Sequence, residues 1–89
     1  MPTIAIFYGI VIQMYWREHG PAHLHAIYQG LEALVSIESG NVTGGELPPK
    51  AERLVRQWVL LRRAELMENW ERGRQRQPFE RVPGPDDGE

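Results

Sequence analysis

All three histidines of the chain fall in one run, Glu18-His19-Gly20-Pro21-Ala22-His23-Leu24-His25-Ala26. Histidine is the side chain whose unperturbed pKa lies closest to neutrality, so it serves proton transfer, metal ligation and pH sensing alike. His23 and His25, two residues apart, could offer two nitrogen ligands to a metal, with His19 or a carboxylate such as Glu38 completing the site. They could instead act as general base and general acid in a metal-independent ribonucleolytic cleavage, with Arg17 as the cation for the developing charge. A third role is structural: a histidine can bond a turn carbonyl, or wait on a sheet face for a protein partner. The sequence favours this last role. It contains no glycine-rich phosphate loop, serine elbow or paired-carboxylate motif that would point to other chemistry.

These side chains must be positioned by the elements around them. Residues 3–45 read as strands and tight turns, residues 49–74 as helix. Gln29-Gly30 separates His23–Tyr28 from Leu31–Glu38, and a two-residue loop there fixes the register. Tyr28 then faces Leu31, Ala26 faces Ala33, and Leu24 faces Val35, all on one apolar face that Ile37 extends. The opposite face carries His23, His25 and Ile27 beside Glu32, Leu34, Ser36 and Glu38. The two histidines therefore point together, away from the core, with His23 opposite Ser36 and diagonal to Glu38.

An earlier hairpin turns at Tyr8-Gly9. Its pairing puts Ala5, Phe7, Ile10, Ile12 and Met14 on one face and Ile4, Ile6 and Val11 on the other. Both faces are apolar, which predicts cover on both sides or a surface that meets another subunit or protein. Pro48-Pro49 marks the start of the helix. Leu54, Val55, Trp58, Val59 and Leu61 form its apolar stripe, and Leu66 and Trp70 continue the line. Unbroken, 26 residues would run about 39 Å, too long for a domain whose radius of gyration should be roughly 12 Å. A break near Arg62-Arg63 is therefore expected, with a projecting arm as the alternative. Trp58 and Trp70 read as core. Trp16 either packs or presents an aromatic face to a partner, and packing is favoured.

The expected fold class is α+β: an antiparallel sheet of four or five strands built from N-terminal hairpins, followed by one long or two shorter C-terminal helices. Residues 1–75 are expected to form one domain. Residues 76–89, with Pro78, Pro83 and Pro85 before an acidic end, read as a disordered tail.

With 89 residues and a net charge of −2, the chain has no global field that favours nucleic acid. Among its ten cations only Lys50 is not arginine, and most of the arginines lie in the C-terminal half, interleaved with glutamates. That pattern predicts a salt-bridged helix surface, with contact to a partner as the second use of those arginines. The absence of cysteine excludes disulfides and thiolate zinc sites and fits a cytoplasmic protein. No apolar stretch reaches the roughly 20 residues of a membrane span. The apolar first fifteen residues lack a basic start and read as a hairpin, not a signal peptide.

Several blocks carry a resemblance. Met1-Pro2-Thr3-Ile4, Gly9-Ile10-Val11-Ile12, Glu18 through Ala26, Ile37-Glu38-Ser39-Gly40, Leu47-Pro48-Pro49 and Glu65-Leu66-Met67-Glu68-Asn69-Trp70 occur in that order. Together they resemble, over about residues 1–82, the small prokaryotic family catalogued as domain of unknown function 4160. Ala22 stands where the family's motif has a second proline and Leu24 where it has phenylalanine. The tail after Val82 looks like an extension of this chain alone. The resemblance implies a partner, because family members are commonly encoded beside a small protein of domain of unknown function 2442, in what has been taken for a toxin–antitoxin-like module. The expected function is thus a protein-interaction component of such a two-gene module. The alternatives are a small histidine-dependent ribonuclease-like enzyme acting on RNA through His23, His25 and Arg17, and a metal-binding domain using His19, His23 and His25. A divalent metal is the one cofactor these residues admit, and a homo-oligomer is compatible with the apolar hairpin face.

Overall fold

The structure is a computed structural model that describes residues 2–85. Five strands, β1 (Thr3–Phe7), β2 (Ile10–Gln13), β3 (His23–Tyr28), β4 (Leu31–Ser36) and β5 (Val42–Gly45), precede two helices, α1 (Pro49–Leu61) and α2 (Arg63–Arg74). The strands pair antiparallel in chain order, as a meander with β1 and β5 at its edges. This is the α+β fold expected from the sequence.

Two-residue turns set the registers. Tyr8-Gly9 and Gln29-Gly30 hold positive φ at both positions (52° and 79°, 49° and 82°), the conformation whose twist matches that of the flanking strands. Phe7 consequently pairs with Ile10, and the β3–β4 register places Tyr28 opposite Leu31, Ala26 opposite Ala33 and His23 opposite Ser36. Ala5, Phe7, Ile10, Ile12, Leu24, Ala26, Ala33 and Val35 are buried on one face. Against it lie Ala51, Val55, Trp58 and Val59 of α1 and Leu66, Asn69, Trp70 and Gly73 of α2. The Trp58 ring meets that of Phe7 at 4.9 Å between centroids. Ile4 departs from strict alternation. An irregularity between Thr3 and Ala5 breaks the β1–β2 pairing, so the neighbours Ile4 and Ala5 are both buried, as a bulge allows.

The long helical segment breaks at Arg62, whose φ of −106° and ψ of 22° leave the helical region. The resulting body measures 33 × 30 × 23 Å, so neither helix projects as an arm. Glutamates pair with arginines along α2 at i,i+3 and i,i+4 (Arg62–Glu65, Arg72–Glu68, Arg74–Glu71).

The segment after α2 departs from the disordered tail expected of it. Over residues 77–85 it runs back across the domain as a strap. The Asn69 amide donates to the Glu80 carbonyl at 2.8 Å and accepts from the Glu80 N–H at 2.9 Å. Val82 is buried and donates its N–H to the Ile4 carbonyl on the β1 edge, and Trp58 Nε1 donates to the Pro83 carbonyl. Its prolines suit an extended path, because each fixes φ and lowers the entropy lost on docking. Residues 86–89, the acidic end of the expected tail, lie outside the described residues. Among the described residues no helix is long and apolar enough to cross a membrane.

Candidate functional site

The sheet face opposite the buried Leu24 and Ala26 carries the chemistry. His23 and His25 alternate with the buried Leu24 and Ala26, so β3 aims both imidazoles outward. His25 sits between Gln13 on β2 and Leu34 on β4. Glu32, two residues from Leu34 along β4, is diagonal to it. A fourth residue comes from outside the sheet: Glu18, on the loop between β2 and β3.

These groups form one network. Glu18 Oε1 lies 3.0 Å from His23 Nε2 and 3.1 Å from His25 Nε2. On the far side of each ring, His23 Nδ1 is 3.0 Å from the Pro21 carbonyl, and His25 Nδ1 is 2.9 Å from Glu32 Oε2. The Pro21 carbonyl can only accept, so His23 Nδ1 carries hydrogen and, in the neutral ring, its Nε2 turns a lone pair toward Glu18 Oε1. His25 stands between two carboxylates, Glu32 at Nδ1 and Glu18 at Nε2, so in either neutral tautomer one of its nitrogens turns a lone pair toward a carboxylate oxygen. Such a contact is satisfied when a proton or a metal ion lies between the two atoms.

The walls are aromatic. The Tyr15 ring meets His25 edge-on at 4.6 Å, and the Trp70 ring lies 5.1 Å from that of His23. The Tyr15 hydroxyl donates to Gln13 Oε1 at 2.8 Å. Burial pushes its pKa above the ordinary 10.0, and the negative charges of Glu32 and Glu18 add to that shift. The imidazoles are largely enclosed, with 17 % and 13 % of their side-chain surface exposed.

Glu18, His23 and His25 each offer a ligand atom, and these atoms all lie within 4.8 Å of one another, close enough for one ion. In a tetrahedral site with bonds of about 2.0–2.1 Å, neighbouring ligand atoms sit about 3.3 Å apart, near the 3.0 and 3.1 Å that separate Glu18 Oε1 from the two Nε2 atoms. The Nδ1 hydrogen bonds to a carbonyl and a carboxylate are the kind that orient metal-binding histidines and fix their tautomer.

The structure brings His23 and His25 together, as the register requires, and leaves the other two expected site residues out. His19 is exposed and does not belong to the cluster. Its chain neighbour Glu18 occupies that place. Arg17 is also exposed, and its backbone N–H donates to the Gly73 carbonyl. Glu38 lies in the turn after β4, lining a cleft with Pro21 and Arg63. Glu32 was within reach of sequence reasoning, because the diagonal rule applied to His23 and Glu38 applies equally to His25 and Glu32. Glu18 had only its place in the histidine run to mark it.

A family model described as Domain of unknown function (DUF4160) matches residues 9–71, which include the whole cluster. No curated protein and no solved structure matches the chain.

Proposed function

The chain belongs to the DUF4160 family, and from the geometry of its histidine cluster we propose that it binds a divalent first-row transition metal through Glu18, His23 and His25. One observation carries this proposal. Each imidazole is tied down at Nδ1 and turns Nε2 toward the same carboxylate oxygen. Two imidazoles and one carboxylate, with no thiolate, suit zinc, cobalt or ferrous iron better than calcium or magnesium. Three protein ligands leave at least one position for water or a substrate atom, as catalytic sites do and closed structural sites do not. Such an ion would supply Lewis acidity. The protein's own residues hold the ligands, and Tyr15 and Trp70 exclude water from their flanks.

Metal binding is better supported than metal-free nucleolytic catalysis by His23 and His25. That chemistry needs two independently aimed proton-transfer groups and a nearby cation. Here both Nε2 atoms converge on an anion, and Arg17 stands outside the cluster. The test is metal content after tag-free purification and dialysis against Zn2+, read by mass spectrometry. One zinc per chain, lost in His23→Gln and His25→Gln while circular dichroism stays unchanged, supports the proposal. Substoichiometric zinc that is indifferent to both substitutions refutes it.

A second reading draws on a different observation. Ile6, Val11 and Ile27 stand in register across β1, β2 and β3 on the same outward face, and Ile6 is 52 % exposed. Such a row favours the interaction component of a two-gene module, whose partner would be the adjacent-gene product of domain of unknown function 2442 type. Co-expression tests it: a complex lost in Ile6→Ser supports this role, and separate elution of the two wild-type proteins counts against it.

A further inference from the structure

Glu18 is the one cluster member that no strand register holds in place. Its loop leaves β2 through Tyr15 and Trp16 and passes Arg17 at φ 66° and Gly20 at φ 89°. Regular pairing resumes only at His23. The contacts that fix this loop come from the far end of the chain. Trp16 Nε1 donates to the Gln77 carbonyl at 2.9 Å, and the indole stacks on the Phe79 ring at 4.9 Å and 24° between planes. The Phe79 ring and the loop backbone, through the Tyr15 carbonyl and the Arg17 N–H, both meet the last turn of α2 at Gly73. A Cβ there would stand 3.0–3.1 Å from the Phe79 ring and 3.4 Å from the Tyr15 carbonyl, so the missing side chain is what lets strap and loop close together on the helix. Beyond Phe79 the strap is anchored independently, by Asn69 on Glu80, by Ile4 on Val82 and by Trp58 on Pro83.

We propose that this clasp of Trp16, Gly73 and Phe79 is the positioning device of the metal site, holding Glu18 over the two histidines, so that docking of the C-terminal strap completes the ligand set. The proposal rests on the metal reading above. Phe79 and Trp16 touch no ligand atom. They act through the loop backbone at Trp16, two residues before Glu18. His23 and His25 are set by the sheet and do not depend on the strap. With the clasp loosened, the site keeps its two imidazoles and loses its carboxylate.

The test uses the full chain and Co2+ as the probe, with Phe79→Leu placed in the wild-type and in the Glu18→Gln backgrounds. Phe79→Leu should weaken Co2+ binding about tenfold, the low end of what losing support for a ligand costs. In Glu18→Gln it should cause no further loss, because the ligand it positions is already gone. Phe79→Tyr, which keeps the stack, should restore wild-type affinity. Should Phe79→Leu fail to fold, Trp16→Leu replaces it, since Trp16 is 44 % exposed and the strap anchors remain. An equal loss in both backgrounds, or none in the wild type, overturns the proposal. A readout without metal separates its failure from that of the metal site. In metal-free protein the 15N resonances of His23 and His25 Nε2 should move in Phe79→Leu toward their Glu18→Gln positions. If they do so while wild type fails to bind Co2+, the clasp stands and the metal site falls. If they stay at wild-type values, the clasp falls.

Discussion

Asn69 is the only polar residue among the buried side chains of the described chain, 1 % exposed, and both ends of its amide are used on one residue of the strap. Replacing it by alanine removes two hydrogen bonds at once. Each contributes about 1 kcal/mol net. Glu80 itself is exposed, so its freed N–H and carbonyl can turn to water, and the larger penalty for orphaned buried groups does not apply. Asn69→Ala should therefore cost about 2–3 kcal/mol, out of a total on the order of 5–10 kcal/mol for a chain this size. With a urea slope of about 1–1.5 kcal/mol/M, the unfolding midpoint should fall by about 2 M at unchanged slope. Asn69→Asp sharpens the test, because it keeps an acceptor for the Glu80 N–H but turns a second oxygen toward the Glu80 carbonyl. The buried carboxylate takes up a proton in the folded state more readily than in the unfolded one, where its pKa is about 3.9. Its folded pKa is thus raised, and the variant loses stability relative to wild type as pH rises from about 4 through that raised value. Urea titrations at pH 4 and pH 7 read both effects. A midpoint within 0.3 M of wild type for Asn69→Ala, or an Asn69→Asp deficit independent of pH, would show that this amide does not hold the strap.

Three further outcomes follow from other parts of the molecule. A Cβ on Gly45 would run into the Glu32 carbonyl, and Gly45 holds φ 71°; Gly45→Ala should therefore destabilise by about 1–3 kcal/mol or more, with the Glu32 side chain that meets His25 Nδ1 disturbed at the same time. In metal-free protein, tyrosinate absorbance should show Tyr15 titrating above the ordinary 10.0, and Glu18→Gln should lower that midpoint without abolishing the shift, because burial is its larger cause. The sign follows from the raised folded pKa: this contribution to stability is intact below pH 10 and is lost as pH rises through the Tyr15 midpoint. Leu24→Ala, at a fully buried position of the core, should cost about 2–5 kcal/mol through the cavity it leaves.

The sheet was legible because two independent signals agreed on it. Alternating apolar residues and a two-residue turn at Gln29-Gly30 permit only one register, and that register aims His23 and His25 outward together. Where a local irregularity intervenes, the alternation misleads. Ile4 counts as an outward residue by parity, yet the irregularity beside it turns it into the core. The helix break was foreseeable from length against domain width. Glu18 was not, because its position depends on a loop with two positive-φ residues and on contacts some sixty positions away in sequence, from Trp16 to Gln77. The strap was hidden by its composition. Prolines and acids suggest a solvated tail, but Phe79 and Val82 are apolar side chains that find sites on the domain, and proline makes their extended presentation less costly.

Calorimetric titration of Zn2+ into the tag-free full chain, with Glu18→Gln and His19→Gln in parallel, tests the central claim most directly. The account predicts one saturable site per chain, at least about tenfold weaker in Glu18→Gln and unchanged in His19→Gln. No saturable binding in wild type, or an equal loss in His19→Gln, would contradict it.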